Sequence, residues 1–360
     1  MAPLNISSEK LLITGVTGYI GFKVLLIALE RGYSVRALVR KESHIADIEK
    51  KSAAIADASK SGKLEFAIVP DFLAKDAVYN VLQGITVIVH LASPLAIQTE
   101  KFQEELIDPA VSMVTVFLEA AERVKSVRRV IVTSSCVTLI PFEWNFNPDS
   151  ETIYTPKDLN PSLSATPTSS MEAYWISKGL ARKTTHDFIA SNKPSFDFVN
   201  LLAGVVIGPD DRHIPSETNG PIPASILFEG TRTSVLAPAL TADLNSPFPY
   251  VNVPVHVTDV AKSHVDAIDS DLVPGNTEYI LASDTPEGVN WDEDVHRVAK
   301  KYFADDVASG LLKLEGSLTT IKWRLDASET EKVFGWKHTN FEETMRGLIA
   351  QYLELKKAEK

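Results

Sequence analysis

The sequence predicts an α/β chain, a doubly wound parallel sheet with a smaller, discontinuous C-terminal lobe. Three observations predict it. Short apolar runs alternate with segments of helical periodicity through the first half of the chain. A glycine-rich turn, TGVTGYIG, joins the first run to the first periodic segment at residues 14 to 21. No internal repeat or heptad run offers another architecture.

The first strand is Lys10-Leu-Leu-Ile-Thr14, and the first helix starts at Tyr19, with Ile20, Val24, Ile27 and Ala28 at helical spacing up to Glu30. Gly15, Gly18 and Gly21 lie between and just inside them. With 17 glycines in 360 residues, a GxxGxxG is expected by chance only about 0.04 times. In a strand-turn-helix, Gly15 allows the tight turn, Gly18 lets a pyrophosphate approach the backbone and Gly21 permits close helix packing. The amides around Thr17, Tyr19 and Ile20 then face the phosphates. This is a Rossmann-type dinucleotide site. The second strand, Ser34 to Arg40, carries Arg36 and Arg40 where NAD enzymes place an acid, so the expected cofactor is NADP(H), with arginine on the 2'-phosphate.

The fifth strand, Arg129 to Thr133, runs into Ser134-Ser135 at the carboxyl edge of the sheet, where open α/β sheets bind ligands. A helix expected over Met171 to Ala190 opens with Tyr174-Trp-Ile-Ser-Lys178, whose i,i+4 spacing puts the tyrosine and lysine on one face. YxxxK occurs three times. Tyr19/Lys23 falls in the phosphate turn and Tyr352/Lys356 in the charged C-terminal tail, which leaves Tyr174/Lys178 as the pair placed to act. A sixth strand spans Phe196 to Leu202. Residues 141 to 170, rich in Pro, Ser, Thr and Asn, predict a long ordered loop bordering the site. Residues 210 to 249 are irregular and are expected to form one wall of a substrate pocket, and an amphipathic helix from Phe341 to Leu355 closes the chain.

Composition narrows the function. A formal charge of -11 argues against nucleic acid or anionic membrane as partner. Cys136 is the only cysteine, so no internal disulfide can form and a reducing compartment is expected; packing is the simpler role for its thiol. The N-terminal MAPLNISSEK lacks the charged and apolar regions of a signal peptide, and the longest apolar stretches are interrupted, so the cytoplasm is the expected location. No metal site is expected, because the eight histidines are scattered without ligand spacing. His256 and His264 are read as structural, and Asp210-Asp211 as a solvated loop.

With these motifs in place, the chain resembles the extended short-chain dehydrogenase/reductases, in particular the branch of dihydroflavonol reductases, cinnamoyl-CoA reductases and yeast and fungal NADPH-dependent aldehyde and ketone reductases. The match continues through Pro70-Asp71-Phe72, His90-Leu-Ala-Ser-Pro94, Thr133-Ser-Ser135, Ile207-Gly-Pro209, His256-Val-Thr-Asp-Val-Ala261 and Phe334-Gly-Trp336. The resemblance implies that Tyr174 is the general acid, that Ser135 holds the carbonyl oxygen, and that Lys178 binds the ribose and lowers the tyrosine pKa. It further implies that Asp71 and Phe72 meet the adenine, although Asp71 could equally cap the next helix. Leu91, Ala92, Ser93 and Thr133 would line the cofactor, and Ala203, Gly204 and Val205 would meet its carboxamide. Two positions depart from the family: Ala203 stands where proline is usual, and Ser112 where asparagine is usual.

The expected activity is reduction of an aldehyde or ketone with hydrophobic substituents to an alcohol, stereoselectively. The apolar Leu95, Ile97, Val137, Phe142, Ile222 and Phe228 are the expected pocket residues, and plain core packing accounts for them equally well. Alternatives are a sugar-nucleotide epimerase or dehydratase or a hydroxysteroid dehydrogenase of the same fold, and an NADP-binding regulator without catalysis. The expected division is a cofactor domain of residues 1–205 with about 250–270, and a substrate lobe of 206–249 and 271–360, in a monomer or homodimer.

Overall fold

A computed structural model describes residues 6–94, 97–146, 151–214 and 222–359. Its frame is a seven-stranded sheet: β1 (Lys10–Thr14), β2 (Ser34–Val39), β3 (Leu64–Ile68), β4 (Val87–His90), β5 (Arg129–Ser135), β6 (Asp197–Ala203) and β7 (Thr277–Leu281). The spatial order is β3-β2-β1-β4-β5-β6-β7, and the pairs β1–β2, β2–β3, β1–β4 and β4–β5 run parallel. Order reverses between β1 and β4. That reversal opens the crevice in which such sheets bind ligands.

The central strands form because both of their faces are covered. All four residues of β4 and four of the five in β1 are buried, the continuous burial of an interior parallel strand rather than the alternation of a half-exposed one. Helix α1 (Tyr19–Glu30) brings Phe22, Val24, Leu25 and Ala28 inside. A second cluster gathers Leu12, Ile88 and Val130 of the sheet with Val78 of α4 (Lys75–Val81) and Val114, Phe117 and Leu118 of α5 (Asp108–Arg123). The short α2 (Ser43–Lys51) and α3 (Ala53–Lys60) lie between β2 and β3, and α6 (Ser170–Asn192) is longer at both ends than the sequence predicts. Ser169 caps it by accepting from the Glu172 amide.

The chain divides into two compact units, the first made of residues 1–142, 156–202 and 261–279 and the second of 143–155, 203–260 and 280–360. The expected boundaries differ: residues 143–155, 203–205 and 250–260 fall in the second unit, and 271–279 in the first. Tyr250 to His256 does not return to the main sheet. It splits into Tyr250–Val251, paired with Thr320–Ile321, and Pro254–His256, paired with Val205–Ile207, while Thr277–Leu281 supplies the seventh strand. A glycine contact explains one of these pairings: a side chain on Gly204 would meet the Val253 carbonyl at 2.3 Å, so the bare backbone lets the two segments close up.

In the first unit the carboxyl-side strands are tied by Arg129, which is fully buried. Its guanidinium pairs with Asp197 at 2.7 and 2.9 Å and donates to the carbonyls of Ala267 and Val273. Gly275 has to be a glycine there, since its Cβ would overlap the Asp197 carboxylate at 1.9 Å. In the second unit Asp210 is 1% exposed, not the solvated loop residue expected. Two guanidinium groups, Arg212 and Arg232, draw it inside; burial is the largest single effect and acts upward, but the combined hydrogen bonds and charges of the two arginines outweigh it and hold the carboxyl down at about 2. His213 and Glu229 stand beside it, but the arginines already occupy both carboxylates.

Gly21 gives the sharpest test of this packing, because its Cβ would lie 2.1 Å from the Gly15 carbonyl oxygen. Gly21→Ala is expected to lower stability by about 1–3 kcal/mol. A urea midpoint equal to that of the parent chain would show that helix and turn are not so close.

Candidate active site

The glycine turn is shaped by its own backbone. Gly15 has φ of +76°, the left-handed region that glycine adopts at no steric cost. The Gly18 amide closes the turn on the Gly15 carbonyl at 3.0 Å. The first i→i−4 bond of α1 runs from Phe22 to Gly18, so the amides of Tyr19, Ile20 and Gly21 precede the helical ladder and lie at its positive end. A Cβ on Gly15 would come within 3.1 Å of the Ala92 amide nitrogen. Turn and β4 loop are therefore in contact.

Thr14 fastens that contact. Its hydroxyl accepts from the amides of Leu91 and Ala92 at 3.0 and 2.9 Å, and it lies 3.2 Å from His90 Nδ1. With both lone pairs taken, the hydroxyl donates its proton to Nδ1, which leaves the imidazole proton on Nε2. Burial, aided by the charge of Lys178, drives the His90 pKa down to about 3, so this ring is neutral. It packs 4.4 Å from the Phe117 ring.

Ser93, next along the loop, accepts from Lys178 Nζ at 2.8 Å. On α6 that ammonium stands 5.4 Å from the centre of the Tyr174 ring. A continuous path thus leads from the glycine turn through residues 91–93 to Lys178 and Tyr174. Both groups are shifted against their charged forms. Burial raises Tyr174 to about 12, with Cys136 adding to it, and lowers Lys178 to about 8. The expected downward shift of the tyrosine is absent from the protein alone. Desolvation is the largest cause and no lowering effect opposes it, so a positively charged ligand would be needed to reverse the direction.

Ser135 ends β5, and its Oγ accepts from the Val137 amide at 3.3 Å, capping a short 3₁₀ turn from Cys136 to Thr138. The Cys136 thiol is buried. Burial pushes it up to about 12, against a smaller pull from a hydrogen bond with Ser135, so it carries no nucleophilic thiolate. Ser112, the second departure from the family pattern, lies on α5 and is partly buried.

Several sequence-predicted contacts are placed elsewhere. Arg36 is not at the crevice: it sits in mid-strand opposite Leu12 and Glu65, pairs with Glu65, and donates to the carbonyls of Val81 and Gln83. Its planar fork is spent inside the fold. Arg40, one residue past the end of β2, is exposed. Phe72 belongs to the core, edge-on to Phe117, while exposed Asp71 uses one carboxylate oxygen to accept from the Leu73 amide. The Thr133 hydroxyl lies 2.7 Å from Nε2 of fully buried His264. His256 accepts from the Thr258 amide.

In the second unit, the amides of Gly204 and Val205 donate to Leu281 and Val253, so they have no donor left for a carboxamide, and Ala203 is 4% exposed. Phe228 stacks on Tyr352 at 6.0 Å and Ile222 is partly buried. In the first, Phe142 meets Trp175 edge-on at 5.3 Å, Val137 is partly buried and Ile97 is 48% exposed; Leu95 lies outside the described residues. The sequence reading missed His90, Thr14 and Arg182. Arg182 had a signal, since it continues the stripe of Tyr174 and Lys178 by one further step of four. Among the described residues no helix is long and apolar enough to cross a membrane.

Comparison with known proteins places this geometry. The model of the NAD dependent epimerase/dehydratase family matches residues 11–280. The ketoreductase CTB6 of Cercospora beticola is 30% identical over 358 residues, spanning 97% of this chain and 96% of its own. The NAD-dependent epimerase/dehydratase ALT6 of Alternaria alternata is 30% identical over 361 residues, spanning 96% and 98%. Among solved structures, Gre2 of Candida albicans in complex with NADPH superimposes with a TM-score of 0.79 at 24% identity, covering 96% of this chain and 99% of that one. The chain belongs to the NAD dependent epimerase/dehydratase family, within the extended short-chain dehydrogenase/reductases.

Proposed function

We propose that the protein is an NADPH-dependent carbonyl reductase, which converts an aldehyde or ketone with apolar substituents stereoselectively to the alcohol. The observation that carries this reading is the path from the glycine turn through Ser93 to Lys178 and Tyr174. Support comes also from relatives named ketoreductase and from a like-folded reductase that binds NADPH.

The residues present fit a dinucleotide. Gly15, Gly18 and Gly21 leave a cradle that a Cβ would fill, Thr17 and the α1 amides border it, and Arg40, exposed just past the end of β2, would be the cation that meets a 2'-phosphate. Ala92 and Ser93 would flank the sugar, and Lys178, which already donates to Ser93, would donate to its hydroxyls. When bound, the cofactor supplies a hydride to the carbonyl carbon. Tyr174 gives its proton to the carbonyl oxygen as the C–H bond forms, and Ser135 donates a hydrogen bond to that same oxygen. The Lys178 ammonium stabilises the phenolate that remains until solvent reprotonates it. Val137 and Phe142 offer apolar surface on this unit, which suits a hydrophobic substituent.

Tyr174→Phe is expected to keep NADPH affinity within a few-fold and to lose about 10²-fold or more of turnover. NADPH oxidation at 340 nm against aromatic ketones, ketoesters, short aldehydes and a sugar nucleotide measures it. Near-normal turnover in the variant would remove Tyr174 as the acid. Turnover of the sugar nucleotide without net oxidation would instead favour an epimerase, and tight NADPH binding with no turnover at all a regulator.

Arg40→Glu is expected to weaken NADPH about tenfold to a hundredfold, the worth of one charged hydrogen bond of ~1.5–3 kcal/mol, and NADH far less. Arg36→Ala should lower stability and leave the NADPH/NADH preference unchanged. Equal weakening of both cofactors by Arg40→Glu would refute the clamp. The pH dependence follows from the raised tyrosine. Reduction needs the protonated phenol and is expected to hold through neutral and acid pH and decline only on the alkaline side, whereas alcohol oxidation, which needs the phenolate, rises with pH. A reduction rate that increases from pH 7 to 10 would contradict the assignment.

A further inference from the structure

Arg182 lies two steps of four beyond Tyr174, so Tyr174, Lys178 and Arg182 form one stripe along α6. Its side chain is 3% exposed. A guanidinium has five N–H donors, and each finds an acceptor. Nε donates to Glu278 at 3.0 Å. One terminal nitrogen donates to the Asp158 carbonyl at 2.7 Å and the Thr138 hydroxyl at 3.2 Å. The other donates to the Pro156 carbonyl and to Glu278, both at 2.5 Å. Glu278 is in turn held by Asn200 at 2.7 Å and His186 at 2.9 Å.

Thr138 connects this cluster to the catalytic serine. Its hydroxyl accepts from Arg182 and donates to the Ser135 carbonyl at 2.8 Å, while its own carbonyl accepts from the Asn160 amide at 2.8 Å. The turn from Ser135 to Thr138 is thereby pinned twice, by the Ser135 hydroxyl on the Val137 amide and by the Thr138 hydroxyl on the Ser135 carbonyl.

We propose that Arg182 and Thr138 are positioning residues that fix Ser135 in register with Tyr174 and Lys178, so that the helix carrying the acid also sets the hydroxyl that orients the carbonyl. The inference rests on the reductase reading above. A fork with five fixed donors meets Glu278, the serine turn and both carbonyls of the 156–158 segment at once, more bonds than the three donors of an ammonium can supply. Displacement of a reacting group by about 1 Å can cost on the order of 10²-fold in rate, so a small turn shift at Ser135 is measurable.

Removing Arg182 would strand buried Glu278 and threaten the fold, so the test is made at Thr138. Thr138→Val is expected to lower kcat about tenfold with the NADPH Kd unchanged, and Thr138→Ser to restore it to within about threefold. In a Ser135→Ala background Thr138→Val should cost nothing further, because its effect passes through Ser135. A purely structural role would give the same loss in both backgrounds. That result, or wild-type turnover in Thr138→Val, overturns the inference alone. A parent chain that binds NADPH and reduces no carbonyl compound overturns the reductase reading and the inference together.

Discussion

The constraint on which the site depends is the absence of side chains where α1 meets the turn that precedes it. Gly21 faces the Gly15 carbonyl at a distance no Cβ could occupy, and the approach sets the direction of the helix and of its N-terminal amides. Gly15 in turn leaves room for the β4 loop, and Thr14 bonds that loop in place with a single hydroxyl. Two short-range steric facts and one threonine thus bring the ends of β1 and β4 together where strand order reverses. The glycine turn and the loop that carries the partner of Lys178 are built from the same few residues.

The electrostatics are set by burial more than by pairing. Tyr174, Lys178, Cys136 and His90 all shift toward their neutral forms, and in each case desolvation is the largest cause. A phenol held protonated suits a proton donor. A thiol held protonated next to the serine does not compete with it. Neutral His90 serves as a packed acceptor for Thr14 and as a wall beside the ammonium.

Much of this was legible in the sequence. Continuous apolar runs gave the interior strands, glycine spacing the turn, and the spacing of Tyr174 and Lys178 their shared face. What was not legible is where long polar side chains spend their donors. Arg36 and Arg40 look alike in a strand that ends in arginine, yet only the positions of Glu65 and of the Val81 and Gln83 carbonyls decide that the first is consumed by the fold. Asp210 read as loop because its two arginines, at Arg212 and Arg232, become neighbours only after folding. Phe72 likewise read as a contact residue, although the hydrophobic cluster under β4 claims it. The run Tyr250 to His256 has the composition of a strand of the main sheet, and tertiary pairing with Val205–Ile207 and Thr320–Ile321 takes it elsewhere.

The bond from Lys178 to Ser93 has a thermodynamic consequence. An ammonium whose pKa has fallen to about 8 is only half protonated at that pH. Ribose hydroxyls and phosphates would give its charged form additional acceptors and a counter-charge, and so return the pKa upward. Cofactor association near pH 8 then carries proton uptake with it, up to about half a proton per site. The heat of binding would depend on the ionisation enthalpy of the buffer, and affinity would fall as the solution becomes more alkaline, before any chemistry takes place.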